Sequence, residues 1–79
     1  MVKASEIEEL IGLLNGLMFA IRAYETVKEG KYRVFNPIIG KEVEVDVTKE
    51  EMEKVLNDLN NALKAVADKI KSIDWSRVE

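Results

Sequence analysis

Two stretches, each about 25 residues long, repeat apolar side chains at steps of three and four, with one short alternating stretch between them. The first stretch carries Ile7, Leu10, Ile11, Leu14, Leu17, Met18, Ile21 and Tyr24, flanked by a column of Leu13, Ala20 and Val27. The second carries Met52, Val55, Leu56, Leu59, Ala62, Leu63, Val66, Ile70 and Ile73. Each pattern shows about four apolar columns per heptad, whereas one neighbouring helix hides only about two. Neither helix can therefore bury its apolar surface against the other alone. The pattern predicts a mainly α, helix–β-hairpin–helix chain of two long antiparallel helices with a two-stranded β-ribbon. It further predicts assembly into a four-helix-bundle homodimer, with a tetramer as the alternative, because soluble monomers avoid large exposed apolar patches.

The boundaries follow from caps and turn residues. The whole chain, 1–79, reads as a single domain. Helix 1 is expected over about 5–29, with Ser5 and Glu8 at the spacing of a capping box and Gly30 as its stop. The hairpin is expected over about 31–47. Val43, Val45 and Val47 alternate with Glu42, Glu44 and Asp46, and Tyr32 and Val34 alternate with Lys31 and Arg33. Asn36-Pro37-Ile38-Ile39-Gly40 supplies the turn. The register that matches both faces sets Val34 against Val43, Tyr32 against Val45, Arg33 against Glu44 and Lys31 against Asp46. Helix 2 is expected over about 49–73, opened by a second capping box from Thr48 and Glu51. Residues 74–79 read as a tail anchored by Trp75.

The composition narrows the chemistry. The chain has neither Cys nor His, so zinc and copper sites and the common covalent nucleophile pairs are not expected. A net charge of −3, with 15 acids against 12 bases, argues against a nucleic-acid-binding surface. The uncharged run Leu10–Ile21 is shorter than the roughly 20 apolar residues of a membrane span, so no membrane association is expected. The first ten residues hold three acids and one Lys, unlike a secretory signal, and the default location is cytoplasmic. The absence of Gln and the abundance of Lys, Glu, Val and Ile are thermophile-like, although five Asn oppose that reading.

Four groups of residues are candidates for function. Gly12, Gly16 and Ala20 recur every four positions and let another backbone approach closely. They form, with Leu13, Leu17, Leu59, Asn60 and Leu63, the expected oligomer interface. Asn60 there would set register, as a polar residue at a bundle seam does. Phe35, Ile38 and Ile39 are apolar residues at a turn, where something must cover them, and make the hairpin a candidate surface for a protein partner. Lys31, Tyr32, Arg33, Phe35 and Lys41 could bind a nucleic-acid strand, but Glu42, Glu44 and Asp46 oppose the cations. Glu6/Glu9 and Glu50/Glu53 are carboxylate pairs on single helix faces, and their positions in first turns point to capping and dipole roles. The sequence thus reads as a non-catalytic, oligomerising interaction or scaffold module without a cofactor. The alternative is a carboxylate-lined bundle that binds metal, or a Mg/Mn-dependent hydrolase, with its site formed across subunits.

Overall fold

The computed structural model describes residues 3–77. Its elements are α1 (Ala4–Val27), β1 (Lys31–Asn36), β2 (Lys41–Asp46), α2 (Lys49–Ser72) and a final 3-10 turn, Trp75–Arg77. The helix–hairpin–helix order expected from the sequence is the order observed. The last two tail positions, 78 and 79, lie outside the described residues.

The two helix starts differ. At α2 the capping box forms: Thr48 Oγ1 accepts the backbone N–H of Glu51 at 3.0 Å and donates to Glu51 Oε1 at 3.2 Å. At α1 it does not. The cap is Lys3, without a side-chain hydrogen bond, and its carbonyl accepts the N–H of Glu6 at 3.0 Å. Ser5 lies inside the first turn, since Ala4 is already helical and is the best of helix formers. Helix 1 also ends earlier than expected, at Val27, where the Gly30 N–H returns to the Val27 carbonyl. Gly30 holds φ at +81°, a region that L side chains rarely adopt.

The ribbon has the expected register, from Lys31 opposite Asp46 through Tyr32–Val45, Arg33–Glu44 and Val34–Val43 to Asn36 opposite Lys41. At the tip Asn36 Oδ1 accepts the Ile38 N–H at 3.0 Å, and Gly40 closes the turn with φ +67°. The ion pairs run diagonally to the register. Lys31 binds Glu44 at 3.1 Å and Arg33 approaches Glu42 at 3.9 Å, a slant that strand twist makes natural.

The helices lie side by side and antiparallel. Leu10, Val66 and Ile73 form the centre of the core, with Leu13 and Leu17 packed against them. Ala20 and Val27 are also buried, but among the described residues no large side chain is fully enclosed. Trp75 folds back on the end of α2, where its indole N–H donates to the Ile70 carbonyl at 2.8 Å. That contact occupies one of the carbonyls a helix end leaves unpaired.

The result is long and one layer deep. The Cα extents are 57 × 25 × 14 Å, and the radius of gyration is 17.9 Å. A compact chain of this length would have a radius near 12 Å. Domains normally bury their apolar faces between two layers. Here the ribbon continues the long axis, and each broad side of the helix pair stays open.

Candidate functional surface

Helical geometry sorts the apolar residues into three stripes. Leu10, Leu13, Leu17 and Ala20 on α1 face Leu59, Ala62 and Val66 on α2, and are buried or half-buried. One position further along, the side chain points about 100° further round. On α1 that displaced stripe is Ile11, Leu14, Met18 and Ile21, and on α2 it is Leu56, Leu63 and Ile70; all are exposed. Viewed down one axis, numbering turns clockwise on α1 and anticlockwise on antiparallel α2. The helices also face each other from opposite sides, so both displaced stripes point to the same side of the layer. Together they make one continuous apolar face, with Met18 49% and Leu63 50% exposed.

The opposite side holds a shallow groove of about 360 Å³. Gly12, Gly16 and Ala23 line it from α1, and Asp58 and Ala65 from α2. A Cβ built on Gly12 or Gly16 would meet nothing within 4 Å, so packing inside the chain does not require glycine there. Phe19 stands beside the groove, 71% exposed.

The expected interface residues are therefore divided among three places. Leu13, Leu17 and Leu59 are half-buried between the two helices of one chain, and Ala20 is buried at the groove floor. Gly12 and Gly16 open onto the groove. Asn60 and Leu63 lie on the broad apolar face. Sequence reasoning saw the width of the apolar pattern but did not separate its inner stripe from the one displaced by a single position. It missed Phe19 as an exposed aromatic. The signal was available, since Gly12, Gly16, Phe19 and Ala23 repeat at four, three and four.

At the far end the ribbon tip carries Phe35, Ile38 and Ile39, all exposed, with Ile38 at 92%. Phe35 sits opposite Glu42, on the side that carries Arg33 and Glu44. A second, smaller concavity at the ribbon base is lined by Lys31, Tyr32 and Arg33, and also by Glu29 and Glu44. The acids counter the cations there, as Lys31–Glu44 pairing records.

The carboxylate pairs do not converge within the chain. Glu9 binds Lys69 near the end of α2, whereas Glu50 and Glu53 open α2 about a helix length, roughly 36 Å, away. Among the described residues no three acids, His or Cys gather as a metal site would require.

By length and composition, α1 is long and apolar enough to cross a membrane, a test the shorter run Leu10–Ile21 does not pass alone. Its outer side nevertheless carries Glu8, Asn15 and Arg22 at intervals of seven, a polar stripe that lipid would have to solvate. No family model, curated protein or solved structure matches the chain.

Proposed function

We propose that the chain is a small, non-catalytic interaction module that self-assembles through its broad apolar face. Two copies, laid face to face, complete a four-helix bundle and supply each other's missing second layer. The ribbons stay outside the bundle and carry Phe35, Ile38 and Ile39 to a protein partner. The observation that supports this most is the single continuous apolar side of a layer 14 Å thick. Its stripes are too regular, and too large in sum, for a surface meant to face water.

Light scattering behind a sizing column, at low micromolar and at high concentration, tests the assembly. A dimer is expected at both. Met18→Glu combined with Leu63→Glu should abolish it, because each charge would be buried without a counterion. A monomer with a cooperative melt across the whole range would overturn the reading. If that monomer sedimented with lipid vesicles, the apolar face would belong to a membrane surface instead. The ribbon has its own test. Phe35→Ala with Ile38→Ser should leave the dimer intact and remove any co-purifying partner; a partner that stayed would exclude the tip.

A further inference from the structure

The apolar face has a symmetry of its own. On α1, Ile11, Leu14, Met18 and Ile21 are spaced identically in both directions about position 16. On α2, Leu56 and Ile70 flank Leu63 at equal distances, with Asn60 and Ala67 between. The two midpoints are level with each other. Glu9 meets Lys69 across the antiparallel pair, and Leu10 clusters with Val66 and Ile73, one on either side of its level; the same stepping sets Gly16 beside Leu63. A single axis crossing both helices at that level maps the face onto itself with the chain reversed.

We propose that a second copy docks about this axis, α1 on α1 and α2 on α2, each pair antiparallel, so that the two ribbons project from opposite poles. The proposal rests on the self-assembly reading above and adds its symmetry and its consequence. In this arrangement Ile11 lies over Ile21 of the partner subunit, Leu14 over Met18 of the partner subunit, and Leu63 over its own counterpart. The footprint of two helices, each about 36 Å long and about 10 Å wide, is about 700 Å² per copy. Stable interfaces of standard size bury about 800 Å² per partner.

Charge agrees with the antiparallel stacking of α2. Its first half holds Glu50, Glu51, Glu53 and Asp58 against Lys49 and Lys54, and its second half holds Lys64, Lys69 and Lys71 against Asp68. Reversal sets the acidic half over the basic half twice, with Glu53 near Lys71 of the partner subunit. The other possible two-fold runs along the helices and puts α1 over α2 of the partner subunit, with both ribbons at one pole. There the apolar layers Ile11–Ile70, Leu14–Ala67 and Met18–Leu63 are out of step by two residues, about 3 Å. An axis along the bundle preserves level and allows no slide to correct this.

The consequence is a two-ended bridge. The helices account for about 36 Å of the 57 Å chain, so each ribbon extends about 20 Å past the bundle and the tips stand roughly 80 Å apart. Such a dimer would hold two copies of a protein partner at opposite ends and could not bring them together.

The chain has no cysteine, so single cysteines report the stacking cleanly. Under mild oxidation Leu63→Cys should form a covalent dimer with itself, and Leu14→Cys should pair with Met18→Cys in an equimolar mixture. Asn61→Cys, on the groove side, and a mixture of Met18→Cys with Leu63→Cys should stay uncrosslinked. The reverse result, Met18→Cys joined to Leu63→Cys with no Leu63→Cys self-pair, would overturn the proposal in favour of ribbons at one pole. A second readout avoids the interface altogether. Copies labelled with donor or acceptor dye at Ile38→Cys should show no energy transfer, and strong transfer would again overturn it. A monomer by light scattering would sink the self-assembly reading and this one together, whereas a dimer with the reverse crosslinks would sink this one alone.

Discussion

Lys69 Nζ lies 2.6 Å from Glu9 Oε2, tying the first turns of α1 to the last turns of α2 across sixty residues of chain. The two partners differ in setting. The Lys69 side chain is 17% exposed and Glu9 65%. Lys69 occupies an inward position, so its stem lies along the helix seam while its head reaches the carboxylate. Glu9→Gln should therefore cost little, about 0.5 kcal/mol, as exposed ion pairs do. Lys69→Ala should cost more, about 1 kcal/mol or above, because packing is lost with the charge. Urea denaturation of both variants checks the order, and equal losses would mean that the stem contributes nothing.

The capping boxes give a paired prediction. Thr48→Ala should destabilise by about 1 kcal/mol, since the Glu51 N–H loses its acceptor. Ser5→Ala should be close to neutral, because Ser5 lies past the cap and alanine is the better helix former there. Thermal unfolding followed by circular dichroism separates the two. The comparison also shows what a spacing can and cannot reveal. Both S/T-x-x-E motifs look alike as text, and only the residue before each one decides which becomes the cap. Thr48 follows Val47, which lies just past β2 and whose N–H bonds the Gly30 carbonyl, so the helix cannot start sooner. Ser5 follows Ala4, which lets it start sooner.

The ribbon was the most legible element, because a period of two leaves one register that matches both faces. Its ion pairs were less legible, since twist moves long side chains to diagonal neighbours. Least legible was the division of the helices' apolar surface. The sequence displays four columns per helix, but only the observed pairing of Leu10 with Val66 and Ile73 reveals which columns turn inward. Once that is known, the remaining columns fall into one face by geometry alone.

Gly16 tests the groove side. Nothing lies within 4 Å of a Cβ built there, so Gly16→Ala should stabilise the helix by about 0.5–1 kcal/mol through backbone entropy. Gly40→Ala should do the opposite, by about 1 kcal/mol, since its φ is +67°. Chemical denaturation of each is sufficient. If Gly16→Ala proved destabilising while the chain stayed helical, another backbone would have to approach α1 on that side.

Lys28 follows the last residue of α1, within reach of the Glu25 carboxylate. The hydrogen bond to Glu25, 2.8 Å long, and that carboxylate's charge hold its ammonium above the ordinary value of 10.5. A raised folded pKa stabilises fully below the unfolded value and loses that contribution as pH rises through the folded one. Lys28→Ala should thus lower the melting temperature by a small, constant amount through neutral pH, with the difference from the parent fading on the alkaline limb, and a difference that grew as pH rose would contradict this.

Asn60 offers the most direct probe of the apolar face. It is exposed in the isolated chain, level with a stripe that is otherwise Leu56, Leu63 and Ile70. Face-to-face packing would remove its amide from water, at a cost that a partly satisfied polar group at a bundle seam is known to carry in exchange for register. Asn60→Leu should therefore tighten the dimer by about 1–2 kcal/mol, roughly tenfold in dissociation constant, while loosening its register. Sedimentation equilibrium measures the first effect. The second appears as a broader set of cysteine pairs, with Leu63→Cys now joining Met18→Cys as well as itself. An unchanged dissociation constant would place Asn60 outside the contact and move the interface toward the α1 half of the face.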